Sequence, residues 1–95
     1  MSLVFEWDRE KAESNLEKHG VSFEEAATAF GDTLSITIAD PTHSEGEIRY
    51  LLIGLTIAER TVVVAHTERG DNIRIISARL ATRKEIRDYE QRSAD

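Results

Sequence analysis

The amino-acid sequence predicts an α+β fold: two N-terminal helices packed on a four- to five-stranded, mostly antiparallel sheet, followed by a C-terminal helix. Apolar residues recur at helical spacing up to Phe30, and from Leu34 onward their period changes to two. Two Ser/Thr-x-x-Glu sequences, at residues 22–25 and 82–85, mark helix starts. At 95 residues the chain is long enough for one modest core, so we expect a single domain over residues 1–95.

The first third of the chain predicts a short strand and two helices. Residues 3–7 are mostly apolar, and Asp8 is placed to cap a helix whose face runs through Ala12, Leu16 and His19. Gly20 ends this helix. The second helix begins at the Ser22 to Glu25 capping box, carries Phe23, Ala26, Ala27 and Phe30 on one face, and stops at Gly31.

The remainder predicts four further strands and a last helix. Residues 34–39, 49–55, 61–67 and 73–78 read as strands, separated by a loop at 40–47, a connection at 56–60 and a turn at 68–72. The second capping box opens a helix that runs to about residue 92. The resulting order, β-α-α-β-β-β-β-α, predicts a sheet covered on one face and potentially open on the other.

Composition excludes several classes of protein. With 40% hydrophobic and 32% charged residues, no apolar run approaches a membrane span, and the N-terminus lacks the features of a signal peptide, so we expect a soluble, cytoplasmic protein with no membrane partner. Zero cysteines excludes disulfides, a thiol nucleophile and cysteine-ligated zinc. The three histidines do not form a pair at metal-ligand spacing. We therefore expect no metal and no cofactor.

Positive charge is concentrated near the C-terminus. Residues 1–59 carry a net charge of −8 and residues 60–95 a net charge of +2, and residues 66–87 alone contain five arginines beside one histidine. Because a planar guanidinium can hold two phosphate oxygens at once, this concentration predicts a phosphate-bearing partner. The main candidates are Arg69, Arg74 and Arg79. Ion pairing with the many carboxylates is the alternative for each of them.

Strand alternation predicts which of these side chains share a face. His66 and Glu68 fall on one side of their strand. Arg74 and Arg79 fall on opposite sides of the next strand, so they converge only if a bulge or the strand end intervenes. His66 is equally well explained by proton transfer and by a half-buried histidine with a satisfied hydrogen bond.

The chain resembles the BrnT-type ribonuclease toxins of bacterial type II toxin–antitoxin pairs. The resemblance lies in FEWDREKAESNLEKHGVSFEEAATAF at residues 5–30, DPTHSEGEIRYLLIG at 40–54 and HTERGDNIRIISARLATRKEIRDYE at 66–90. It implies a RelE-like fold, endoribonuclease activity on RNA, and a BrnA-like ribbon-helix-helix antitoxin through which the complex binds operator DNA. The functional basic positions of the family correspond to Lys18, Arg49, Arg69, Arg74, Arg79 and Arg83. Where the family pattern often has a basic residue after the Ser-Ala-Arg triplet, this chain has Leu80.

A metal-independent mechanism is expected from these residues, because RNA carries its own nucleophile in the 2′-hydroxyl. Arg74 and Arg79 are expected to hold the non-bridging oxygens of the scissile phosphate. His66, assisted by Glu68, is expected to take the 2′ proton or to protonate the leaving 5′-oxygen. The alternative is a non-catalytic interaction module that binds a partner protein or nucleic acid through its arginines.

Overall fold

Five strands and three helices follow one another in the predicted order along residues 3–43 and 46–93, which are the residues described by the computed structural model. Residues 44 and 45 of the predicted loop at 40–47 lie outside the described residues. The strands are β1 (Val4–Glu6), β2 (Ile36–Ala39), β3 (Arg49–Leu55), β4 (Thr61–Arg69) and β5 (Asn72–Leu80). The helices are α1 (Arg9–His19), α2 (Phe23–Thr28) and α3 (Arg83–Ser93), and 3-10 turns lie at Ala29–Gly31 and Pro41–His43.

The five strands form one sheet in the order β1-β5-β4-β3-β2. β2, β3, β4 and β5 are antiparallel neighbours, and β1 runs parallel to β5 at one edge. The predicted α+β class with a mostly antiparallel sheet is therefore confirmed. The tight β4–β5 turn is possible because Gly70 adopts a φ of 60°, which a residue without a Cβ reaches at little cost.

The predicted caps define the helix ends, with one difference. The Asp8 carboxylate accepts a hydrogen bond from the backbone N–H of Glu10 at 2.8 Å, and the Ser22 hydroxyl accepts one from Glu25 N–H at 3.0 Å. The Glu25 carboxylate does not complete the predicted capping box, because it binds Arg60 and Thr56 instead. The second capping box, between Thr82 and Glu85, is complete in both directions.

The hydrophobic core lies between one face of the sheet and the helices α1 and α2. Phe23 and Ala26 of α2 pack against buried side chains of the three central strands: Leu52, Val62, Val64, Ile75 and Ala78. The predicted apolar face of α1 is wrong in part, because Leu16 is 51% exposed and His19 is exposed. Asn15 is the residue of α1 that is buried instead.

Asn15 is buried because it completes the edge of β5. β1 pairs with β5 only as far as Arg74, so the backbone of Ala78 has no neighbouring strand on that side. The Asn15 side-chain amide donates to the Ala78 carbonyl at 2.8 Å, and its oxygen accepts from the Ala78 N–H at 3.1 Å. The same amide donates to the Val21 carbonyl. One side chain thus replaces a strand and fixes α1 against the sheet.

The second face of the sheet, opposite the core, is only partly covered. α3 contacts β3, and the Tyr89 hydroxyl of α3 donates to the Asp32 carboxylate. Val63, whose side chain lies on this second face, is 3% exposed. Within the described residues, no helix is long and apolar enough to cross a membrane.

Candidate functional site

A β-bulge in β5 determines which side chains reach the second face. Ala65 pairs with Ser77 and the next residue, His66, pairs with Ile75, so Ile76 is an extra residue in β5. The burial of Ile75 and Ala78 in the same core agrees with this, because two residues three apart share a face only across a bulge.

The bulge brings Arg74 and Arg79 to the same face, which meets the condition set by the sequence. Arg74 pairs with Thr67, Arg79 pairs with Val63, and both partners lie on the second face. Arg49 pairs with Thr67 from the other side. We use the name basic face for the second-face surface formed by Arg49, Thr67, Arg69, Arg74, Ser77 and Arg79.

Arg74 and Arg79 do not meet at one point on the basic face. Their partners Thr67 and Val63 are four residues apart on β4, which corresponds to about 13 Å along the strand. Arg74 donates to the Glu6 carboxylate at 3.1 Å, toward β1, whereas Arg79 donates to Glu85 of α3. The two guanidinium groups are therefore turned toward different elements.

Three arginines of the basic face are ion-paired, as the alternative explanation predicted. Glu85 binds Arg79 through both oxygens, at 2.7 and 2.8 Å, and these hydrogen bonds lower the pKa of Glu85 to about 2. Hydrogen bonds from Asn72 and Arg74 lower the pKa of Glu6. Arg69 lies 3.7 Å from Glu47, with half of its side chain exposed. The long, exposed Arg69 pair is weak. The bidentate Arg79–Glu85 pair is stronger, so a phosphate group that recruits Arg79 must displace a well-bound carboxylate.

His66 lies on the opposite face from the arginines. It is 5% exposed, stacked on Tyr50 at 5.7 Å and in edge contact with Phe30 at 4.8 Å between ring centroids. Its Nδ1 lies 3.2 Å from the Val64 carbonyl oxygen, and burial lowers the pKa of His66. Glu68 is exposed on the same side of β4. The structure therefore does not bring His66 and Glu68 to a phosphate held by Arg74 and Arg79.

The remaining predicted positions lie around this face. Arg83 is exposed at the first position of α3. Leu80, where the family pattern often has a basic residue, pairs with Val62 on the core side of the sheet and is 47% exposed. A cation at position 80 would therefore project away from Arg79, so its absence leaves the basic face unchanged.

Lys18 lies apart from the arginines, in a pocket between α1 and the bulge of β5. The pocket has a volume of about 210 Å³ and is lined by Lys11, Ser14, Asn15, Lys18, His19, Ile76 and Ser77. The resemblance placed Lys18 among the functional basic positions, whereas Lys11, His19 and Ser77 were not singled out from the sequence as functional residues. The sequence does contain a signal for this pocket. Lys18 and His19 follow Lys11 by seven and eight residues, and this spacing places the three basic side chains on one side of a helix.

A small α+β protein with a basic sheet face beside a pocket lined by lysines has the architecture expected of a protein that binds a polyanion. A family model described as "Ribonuclease toxin, BrnT, of type II toxin-antitoxin system" matches residues 7–85. The chain belongs to this family of ribonuclease toxins, whose members act on RNA and are paired with an antitoxin.

A solved structure supports the same assignment. The 1.1 Å crystal structure of the Brucella abortus ribonuclease toxin BrnT superposes with a TM-score of 0.64 at 26% sequence identity. The match covers 86% of this chain and 100% of that chain. No protein among curated sequences matches.

Proposed function

We propose that this protein is a metal-independent endoribonuclease that cleaves RNA by attack of the 2′-hydroxyl on the adjacent phosphate. The bulge at Ile76 is the observation that carries this proposal, because it places Arg74, Ser77 and Arg79 on the same, partly covered face of the sheet. Arginine on that face can stabilise the charge that develops on the phosphate during attack, and charge stabilisation is a large part of such catalysis.

The spacing of the arginines favours several phosphate contacts over a single clamp. With about 13 Å between the strand positions of Arg74 and Arg79, the two contact different parts of an RNA strand that lies across the sheet. Arg49 and Arg69 provide further phosphate contacts toward β3 and the β4–β5 turn, and Arg83 provides one at the start of α3. The half-buried ion pairs Arg74–Glu6 and Arg79–Glu85 open when phosphate oxygens of the RNA replace the carboxylates.

The reaction is balanced without any co-reactant. The 2′-oxygen loses its proton and bonds to phosphorus, the bond from phosphorus to the 5′-oxygen breaks, and the 5′-oxygen takes up a proton. The products are a 2′,3′-cyclic phosphate and a 5′-hydroxyl. The protein needs only to position the RNA, stabilise charge and move the proton.

Cleavage of RNA by the purified protein in EDTA tests this proposal. We expect cleavage at the same rate with and without the chelator, and products that carry a 2′,3′-cyclic phosphate and a 5′-hydroxyl. Loss of cleavage in EDTA, restored by a divalent cation, would overturn the metal-independent mechanism.

We also propose that the antitoxin is a ribbon-helix-helix protein of the BrnA type, that the complex binds operator DNA through it, and that the pair acts in the cytoplasm. The uneven distribution of charge along the chain supports an electrostatic contribution to this complex. Residues 1–59 carry a net charge of −8, which attracts a basic segment of the partner. The product of the adjoining reading frame should co-purify with the toxin and show a ribbon-helix-helix pattern. Its affinity should fall as salt is added, and a salt-independent affinity would contradict the electrostatic contribution.

A further inference from the structure

The pocket between α1 and the β5 bulge gathers three basic side chains that have no acidic partner among the residues that the structure describes. Lys11, Lys18 and His19 all line it. In the described residues none of the three has an ion pair, although Arg60, Arg69, Arg74, Arg79 and Lys84 each have one. Arg83, Arg87 and Arg92 of α3 also lack an ion pair in the described part of the chain, so what distinguishes the pocket is that three basic side chains line one cavity.

The helix dipole accounts for only two of the three basic residues. Lys18 and His19 are in the last turn of α1, where positive charge is favoured. Lys11 is the third residue of the same helix, where the dipole opposes positive charge. An anion held between the two ends of the pocket would compensate this unfavourable placement.

The pocket adjoins the basic face through Ser77. Ser77 lines the pocket and also lies on the second face, between Arg74 and Arg79 along β5. An RNA strand held by these arginines can therefore place its scissile phosphate beside Ser77, at the edge of the pocket. His19 is exposed there, unlike His66, and an imidazole in contact with solvent and substrate can exchange protons.

We propose that His19 is a catalytic proton-transfer group at this pocket, with Lys18 binding the scissile phosphate and Lys11 acting at the opposite end. This proposal rests on the proposed ribonuclease function. His19 takes the proton of the 2′-hydroxyl as the 2′-oxygen bonds to phosphorus. The Lys11 ammonium donates a proton to the 5′-oxygen as its bond to phosphorus breaks, and both groups then re-equilibrate with water.

The dimensions of α1 suit an in-line reaction. In-line attack requires that the base and the acid approach the phosphorus from opposite sides. Lys11 and His19 are eight residues apart, about 12 Å along the helix axis, so they lie at opposite ends of the pocket. The charged groups that line the pocket from α1 are Lys11, Lys18 and His19, and β5 contributes only the uncharged Ile76 and Ser77.

The test is RNA cleavage in EDTA by His19→Ala, with His43→Gln as the matched control. His43 is another exposed histidine, paired with Asp40 and placed in the 3-10 turn Pro41–His43. We expect His19→Ala to lose about 10²- to 10⁴-fold in rate, the usual contribution of general acid–base catalysis. Added imidazole should restore part of the rate.

A structural role of His19 predicts a different set of results. Thermal unfolding of the variant separates loss of fold from loss of chemistry, and imidazole cannot restore activity lost through unfolding. The proposal is overturned if His19→Ala cleaves within about 3-fold of the wild type, or if its lost activity is not restored by imidazole. Failure of the wild type to cleave RNA in EDTA would instead count against the proposed function.

Discussion

The Arg79 guanidinium and the Glu85 carboxylate join the end of β5 to the first turn of α3 through two hydrogen bonds of 2.7 and 2.8 Å. The same carboxylate accepts the backbone N–H of Thr82 at 2.8 Å and so caps the helix. The position of α3 and the orientation of Arg79 are therefore coupled through one side chain. Any RNA phosphate that recruits Arg79 must compete with this carboxylate.

The Glu85 pair should make the stability of the protein sensitive to acid. Mainly because of the hydrogen bonds from Arg79, the pKa of Glu85 falls from 4.5 to about 2 in the folded state. A carboxyl whose folded pKa is lowered contributes stability above its unfolded pKa and loses that contribution as pH falls through the folded value. Between about pH 4.5 and pH 2, the wild type should lose more stability than Glu85→Gln. Thermal unfolding across this range measures the difference.

Glu90→Gln is the matched control for this prediction, because Glu90 is an exposed carboxylate on the same helix. It should reproduce the acid sensitivity of the wild type. Equal slopes for the wild type and Glu85→Gln would show that the ion pair contributes little in solution.

Arg74 and Arg79 should each be required for efficient RNA cleavage. Replacing either by alanine removes a guanidinium from the basic face, and loss of one group that stabilises transition-state charge commonly costs about 10²-fold in rate. Cleavage by the purified variants and growth arrest on expression measure the effect. Arg92→Ala, at an exposed position near the end of α3, should keep wild-type activity. Full activity in both Arg74→Ala and Arg79→Ala would exclude the basic face as the substrate surface.

The limits of sequence reasoning are clearest in β5. Element order and helix starts depend on local signals such as Asp8, Ser22 and Thr82, and these identified the elements correctly. The face reached by Arg79 depends on one extra residue, Ile76, and no local signal marks it because the bulge arises from pairing with β4. Asn15 was missed for a similar reason. Its partner, the Ala78 peptide, is 63 residues away in the chain.

His66 should contribute to stability rather than to proton transfer. Burial is the main cause of its lowered pKa, so as pH falls below 6.5 the unfolded chain takes up a proton that the folded protein resists. Stability should therefore be full above about pH 6.5 and should decline toward lower pH. His66→Phe keeps a ring beside Phe30 and Tyr50 and removes this titration, so its stability should vary less with pH in urea unfolding.

RNA cleavage by His66→Phe separates the two explanations of this residue. We expect a rate within a few-fold of the wild type, because the ring lies on the core side of the sheet. A loss of about 10²-fold or more in a folded variant would restore the proton-transfer role predicted from the sequence. His43→Gln, at an exposed histidine, serves as the control for effects of histidine replacement in general.

Asn15 should be among the most important single side chains for the stability of the fold. Asn15→Ala removes three hydrogen bonds and leaves the Ala78 peptide and the Val21 carbonyl without those partners in a buried region. Each buried polar group left unsatisfied costs about 1–3 kcal/mol, so we expect a loss of about 3 kcal/mol in the free energy of unfolding, measured in urea. Ser14→Ala, at an exposed neighbour on α1, should lose less than about 0.5 kcal/mol. Asn15→Asp keeps an acceptor for the Ala78 N–H but turns a carboxylate toward two carbonyl oxygens, so it should be at least as unstable as Asn15→Ala. A stable Asn15→Asp variant would show that α1 is not held to β5 by this amide.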